Sequence, residues 1–179
     1  FPAFRIKAGK NDCYAGRKNR ILVALSYEEA TSARILKMIK GIDTWLKEKG
    51  IKVYIKNHPQ LSTRTLSDYG INELACEHVF LDQSFQEAIE RADVVITAKS
   101  TTSYETVMYG KKVIVLGMAG DITFTYMPRE WEGKRYGVAY NEEELVQLIT
   151  CFNEREIKKL DLSREYLVRP RKEELINIL

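Results

Sequence analysis

The sequence predicts an open α/β domain, a doubly wound parallel sheet with helices on both faces in three layers, α/β/α. Short aliphatic runs alternate along the chain with stretches whose apolar residues recur at helical spacing. Two of those runs, Asp93 to Thr97 and Lys112 to Leu116, are nearly continuous in β-branched and aliphatic residues, the pattern of central strands covered on both faces. With 179 residues, 45% hydrophobic and 30% charged, the chain can bury a continuous core without disulfides or metals.

Taken in order, residues 1–19 mix Gly, Asn, Lys and Arg with little periodicity and are expected to form a linker or inter-domain crossing segment. The domain proper is expected over 20–152. Ile21 to Leu25 is its first strand, followed at Ser26 by a turn and then by one long amphipathic helix through Ile35, Leu36, Ile39, Ile42, Trp45 and Leu46, ending at Gly50. Ile51 to Lys56 is the second strand, leading into a polar stretch from Asn57 to Gly70. A short strand at His78 to Leu81 precedes a helix from Ser84 to Arg91. Asp93 to Thr97 follows as a strand, and Ser100 to Tyr109 as a compact helix ended by Gly110, a residue suited to the left-handed C-cap. After Lys112 to Leu116 come a strand at Tyr136 to Tyr140 and a helix from Glu142 to Cys151 with an acidic first turn. Residues 153–179, with apolar periodicity from Glu154 to Leu160 and from Lys172 to Leu179, are expected to be C-terminal helices.

Composition excludes several classes. No apolar run is long enough to span a bilayer. Three cysteines, Cys13, Cys76 and Cys151, form neither a disulfide framework nor a zinc-binding spacing. A net charge of +3, with the basic residues dispersed, does not call for nucleic acid. The chain opens on Phe-Pro-Ala-Phe, without a signal pattern, and is read as a piece of a longer protein.

In a doubly wound sheet, ligands bind beyond the carboxyl ends of the strands, where strand order reverses. Three segments lie there: Ser26 to Glu29, Asn57 to Leu61 and Ala98 to Glu105. The last is hydroxyl-rich and runs from a buried strand into a helix. The free N–H groups of a helix N-terminus bind anions, Ser100, Thr101, Thr102 and Ser103 add hydroxyl donors, and Lys99 adds positive charge. For any one of these hydroxyls the competing reading is a plain N-cap. Glu105, one turn into that helix, can accept the hydroxyls of a ribose, or it can serve as a capping carboxylate. His58 is kept at the strand end by Pro59, which forces extended geometry on its predecessor, and an imidazole there can donate to a phosphate oxygen. Ser26 is a further contact candidate, although an N-cap Ser with acidic first-turn residues is fully explained by helix physics, which leaves function the smaller share. The loop from Gly117 to Met127, containing Gly120 and Asp121, is placed to approach a sugar. His78 is read as structural. No GxGxxG, Walker lysine loop or GxSxG elbow is present, which removes the common dinucleotide, NTP-hydrolase and serine-esterase readings, and there is no metal-ligand cluster in the sequence.

Lys56-Asn57-His58-Pro59, Leu81-Asp82-Gln83-Ser84, Ala92-Asp93-Val94-Val95-Ile96-Thr97, Ser100-Thr101-Thr102-Ser103-Tyr104-Glu105 and Gly110-Lys111-Lys112-Val113-Ile114-Val115 follow one another in an order and spacing that resemble the C-terminal half of GT-B glycosyltransferases. The similarity is closest to bacterial capsule transferases, sialyltransferases and CDP-glycerol glycerophosphotransferases, and it covers about residues 20–150. It implies a Rossmann-like domain forming one half of a GT-B fold, with a CMP-, CDP- or UDP-linked donor. His58 and the hydroxyls of Ser100 to Ser103 would face the donor phosphates, Glu105 the ribose, and backbone from Phe80 to Gln83 the base. His58, polarising the leaving phosphate, would be the catalytic residue of this half. The resemblance further implies metal-independent transfer with no cofactor, an N-terminal acceptor-binding domain supplied by the rest of the protein, and a cytoplasmic location with peripheral association at the inner face of the membrane. Asn57 before the histidine and the Thr101-Thr102 pair depart from the commonest form of the motif. Two other readings stand beside this one: a UDP-sugar 2-epimerase or hydrolase, which needs more carboxylates and a second histidine near the sugar, and a non-catalytic nucleotide-binding or interaction module.

Overall fold

A computed structural model describes residues 19–98, 100–117 and 127–154. The linker expected over 1–19, apart from Asn19, and the C-terminal helices expected beyond residue 154 lie outside the described residues, as do Lys99, Gly120 and Asp121.

The strands are β1 (Arg20–Ala24), β2 (Lys52–Lys56), β3 (His78–Phe80), β4 (Val94–Thr97), β5 (Lys112–Leu116) and β6 (Tyr136–Ala139). They form one six-stranded sheet in the order β3-β2-β1-β4-β5-β6, and every neighbouring pair is parallel. The helices are α1 (Glu29–Gly41), α2 (Asp43–Glu48), α3 (Phe85–Arg91), α4 (Thr101–Met108) and α5 (Glu142–Glu154). The predicted Rossmann-like, three-layer α/β/α architecture is therefore the observed one. Alternation along each strand decides which layer a residue meets. Ile21, Val23, Val94, Ile96 and Ile114 pack with Ile35, Leu36 and Ile39 of α1, Leu46 of α2 and Leu145 of α5. Leu22, Ala24 and Val95 face Ala88 and Ile89 of α3, and Val113 and Val115 face Val107 of α4. All residues of β4 and β5 are buried, because both of their faces are covered.

Two elements differ from the sequence expectation. The single helix expected to end at Gly50 is broken at Ile42, which caps α1 with its N–H on the carbonyls of Ile39 and Lys40 while its own φ and ψ of −112° and 7° leave the helical region. The break follows from its neighbours. A side chain on Gly41 would run into Glu142 of α5, 2.8 Å away, and Asp43, only 5% exposed, accepts bonds from Lys40 Nζ and the Ala75 N–H, both 2.8 Å. That arrangement ties the chain after the break to the 71–77 segment. The last helix runs past Cys151 to Glu154. Buried Lys112 donates from Nζ to the Phe152 carbonyl at 2.5 Å, and a cation at a helix C-terminus favours one more turn.

Register is fastened at the amino ends of β1 and β4. The Arg20 N–H and Nε each lie 3.2 Å from Asp93 Oδ2. At the carboxyl ends the order of strands reverses between β1 and β4, which places the crevice of a doubly wound sheet over that seam.

Candidate functional site

The loops leaving β2, β1 and β4 are consecutive across the sheet, so the segments carrying His58, Ser26 and Ser100 meet at the reversal point. Two strand spacings, about 10 Å, separate the outer two, a span that a His side chain and a bound phosphate can bridge.

After β4 the chain enters α4 through Ser100, whose extended backbone (φ −158°, ψ 150°) makes it the N-cap. Its Oγ accepts from the Thr102 N–H at 3.2 Å and donates to Thr102 Oγ1 at 2.9 Å. Because Ser100 supplies the proton of that second bond, the Thr102 hydroxyl keeps its own proton for an outside acceptor. Ser103 is 2% exposed; its N–H and its Oγ both donate to the Ser100 carbonyl, at 3.1 and 2.6 Å. Expected among the ligand hydroxyls, Ser103 thus has its proton committed to the helix start. Thr106 similarly donates to the Thr102 carbonyl at 2.8 Å. Thr101 is exposed, and among the described residues no acceptor meets its N–H or that of Ser100. Among the described residues the Ser100 and Thr101 amides and the Thr101 and Thr102 hydroxyls therefore keep their protons unspent at the positive end of a helix, an arrangement that favours an anion.

Glu105 is half-buried. Burial pushes its carboxyl above the ordinary glutamate range. Among the described residues it does not act as a capping carboxylate: the bonds at the start of α4 come from Ser100. It lies one turn beyond Thr101 on α4.

After β2, His58 is extended (φ −61°, ψ 143°) as Pro59 requires. The Gln60 N–H donates to its Nδ1 at 3.4 Å, so the neutral ring carries its proton on Nε2 and presents a donor. The Tyr27 ring stands edge-on to it, with centroids 6.0 Å apart and an interplanar angle of 66°. Tyr27 is 69% exposed and was not singled out by the sequence; an aromatic directly after the first central strand was the available signal. Ser26 does not cap α1. The N-cap is Glu28, and Ser26 Oγ accepts from the Glu28 N–H at 3.1 Å, while its carbonyl accepts from Ser32 Oγ at 2.9 Å. The hydroxyl closes a tight turn within residues 25–28, which separate β1 from α1.

At the sheet edge, the Phe80 side chain packs against the α1-side core. The Val53 N–H bonds to the Glu77 carbonyl and the Leu81 N–H to the Ile55 carbonyl, so alternation turns the Phe80 amide and carbonyl away from β2, toward the open edge. The Leu81 carbonyl accepts from Lys56 Nζ at 3.2 Å. Gln83 Oε1 is buried and meets no hydrogen-bond partner among the described residues. Ser84 forms a capping box with Glu87 and opens α3. By strand order, five of the sequence-chosen positions, Ser26, His58, Ser100, Thr101 and Thr102, lie on the segments that follow β1, β2 and β4 beside the reversal point, and Phe80 and Gln83 sit two strands away from β1. His78, with Nδ1 3.2 Å from the Cys76 carbonyl, is a structural partner of the 71–77 segment. Among the described residues no group of three or more His, Cys, Asp or Glu is arranged to hold a metal ion, and no helix is long and apolar enough to cross a membrane.

No protein-family model and no curated protein matches the chain. Similar solved structures include the KpsC β-Kdo 2,4-transferase of Thermosulfurimonas dismutans, at 17% identity and a TM-score of 0.45, aligned over 82% of this chain and 46% of that one. ADP-heptose LPS heptosyltransferase II of E. coli aligns over 78% of this chain and 48% of its own, at 9% identity and a TM-score of 0.49. The glycosyltransferase SnogD of Streptomyces nogalater aligns over 83% and 40%, at 16% identity and a TM-score of 0.48. The chain spans less than half the length of each of these structures.

Proposed function

We propose that this chain is the donor-binding half of a GT-B glycosyltransferase that moves a sugar or sugar-like group from a nucleotide-activated donor during surface-polysaccharide synthesis. The observation that carries the reading is the set of unspent donors over the strand-order reversal: the N–H groups of Ser100 and Thr101, the Thr102 hydroxyl and His58 Nε2. These are the groups a phosphate needs, carried at the start of α4 and on the segment that follows β2.

In this reading the donor phosphate sits at the start of α4, with Lys99 adding charge and Glu105 taking the ribose hydroxyls. The base lies toward Phe80 and Gln83 at the open edge of β3, and the sugar toward Gly120 and Asp121. When the bond from the anomeric carbon to the phosphate oxygen breaks, negative charge collects on that phosphate. Fixed donors aimed at it lower the barrier more than water would, because they need no reorientation as the charge develops. The chain's own donors do this work, without a metal or organic cofactor. The acceptor and its catalytic base belong to an N-terminal domain, and the intact enzyme works on the cytoplasmic side, at the inner face of the membrane.

Calorimetric titration of the chain with CMP, CDP, UDP, GDP and ADP tests the reading. One nucleotide class is expected to bind, and His58→Ala to weaken it about tenfold, the scale of one charge-assisted hydrogen bond. A chain that binds none of the five, or a His58→Ala variant that binds as tightly as the wild type, overturns it.

A further inference from the structure

Asn57 is 6% exposed at the end of β2, and its amide is fully directional. Nδ2 donates to two backbone carbonyls of the following loop, Ser62 at 3.4 Å and Arg64 at 2.7 Å. Oδ1 accepts from the buried hydroxyl of Tyr69 at 3.0 Å. Tyr69 lies in a 3-10 turn, Ser67–Tyr69, and packs with Leu66, Ile71 and Leu74 in the core under α1. Burial pushes its phenol up, so it remains a donor at neutral pH. Outside the loop, Arg64 is paired with Glu29 of α1 at 3.0 Å. The segment that carries His58 is therefore tied from inside to the core and from outside to a helix.

We propose that Asn57 and Tyr69 are positioning residues for His58: they close the 57–64 loop so that the Gln60 N–H stays on Nδ1 and Nε2 faces the crevice. The proposal deepens the donor-site reading above, since it gives the residue before the histidine a task. It also accounts for amide chemistry at residue 57. A carboxylate of the same shape would set an oxygen against the carbonyls of Ser62 and Arg64, and a small apolar residue would leave both of them and the Tyr69 hydroxyl unmet, at a cost that buried polar groups make large.

The test uses Tyr69→Phe, which keeps the ring in the core and removes only the hydroxyl, together with Asn57→Asp and His58→Ala. Imidazole 15N–1H correlation spectra of the whole chain read the tautomer of each histidine without any ligand. The chain has two histidines, and His78, bonded to the Cys76 carbonyl, is the internal reference. In the wild type His58 is expected as a single Nε2–H tautomer. In Tyr69→Phe it becomes a mixture of tautomers while His78 is unchanged, and Asn57→Asp moves it further. With CDP as probe, Tyr69→Phe loses about fivefold in affinity, the effect of one neutral hydrogen bond, and loses nothing more when combined with His58→Ala. A His58 spectrum identical in wild type and Tyr69→Phe overturns the proposal, as does an affinity loss from Tyr69→Phe that persists in full in the His58→Ala background. Should CDP fail to bind the wild type, the donor-site reading falters while the tautomer spectra still decide whether Asn57 and Tyr69 set the imidazole. If Asn57→Asp does not fold, Tyr69→Phe carries the result alone.

Discussion

Replacing Ser100 separates a helix cap from an anion site, because both tasks use one side chain. Ser100 Oγ accepts the Thr102 N–H at 3.2 Å, and a cap of this kind contributes about 1 kcal/mol. Ser100→Ala should therefore lower the melting temperature by about 2–4 °C in a domain of this size. Ser100→Asn and Ser100→Asp both keep a cap acceptor, and an aspartate at a helix start is further favoured by the dipole. Neither should lower the melting temperature. Their ligand behaviour should diverge. A carboxylate about 5 Å from a bound phosphate, at the effective dielectric of about 20 that suits sites near a protein surface, repels it by about 3 kcal/mol, roughly two orders of magnitude in Kd. The Thr102 hydroxyl, 2.9 Å from Ser100 Oγ, would also turn its proton to the new carboxylate and away from the ligand. Differential scanning calorimetry and nucleotide titration at low salt measure the two effects separately, and the Asn/Asp gap should narrow as salt is raised. If Ser100→Asp binds nucleotide as well as Ser100→Asn does, no phosphate sits at the start of α4.

Two further predictions concern charge and pH. Glu105, pushed up by burial, disfavours the folded state once ionised, so its contribution is best below the unfolded glutamate pKa and is lost as pH rises through the folded one. Glu105→Gln should raise the melting temperature at pH 7 and leave it unchanged at pH 3, while weakening ribonucleotides more than inorganic pyrophosphate. An unchanged melting temperature at pH 7 would refute the account of burial. Burial works to raise the carboxyl of Asp43, yet the bonds from Lys40 and from the Ala75 N–H hold it below the usual aspartate range. Its stabilisation is present above the unfolded pKa and is lost as pH falls through the folded value. Asp43→Asn should destabilise the domain by about 1–3 kcal/mol at pH 7 and by much less in strong acid, measured by urea unfolding across that range. A pH-independent difference would contradict it.

Much of this architecture was legible in the residues. The continuous aliphatic runs of β4 and β5 could be satisfied only by cover on both faces, and Pro59 set the backbone of His58 before any neighbour was known. The break at Ile42 was not legible, because its causes are distant in sequence: Glu142 occupying the space beside Gly41, and Ala75 seeking the Asp43 carboxylate. At the site, a run of four hydroxyl residues looked uniform, yet the helical turn divides them. Thr101 faces solvent, while Ser103 faces inward and bonds to the Ser100 carbonyl. The true cap position sorts these roles, and element boundaries are what periodicity reads least well. Tyr69 as partner of Asn57 was hidden for another reason, since a polar loop separates the two and only the folded core brings the phenol back.

The seam between β1 and β4 joins residues 73 positions apart, as the Arg20 and Asp93 contact measures. Every element from α1 to α3 is threaded between those two strands, so of the two strand pairings made by β1 the seam demands the longer loop closure, and such closures slow folding. During synthesis β1 and β2 emerge long before β4 does, and until then one flank of β1 is an open row of backbone donors and acceptors. A ribosome-bound chain stopped before Val94 is thus a species at risk of wrong pairing. The crevice therefore exists only once β4 has docked on β1, and ligand binding there reports that this long-range pairing has formed.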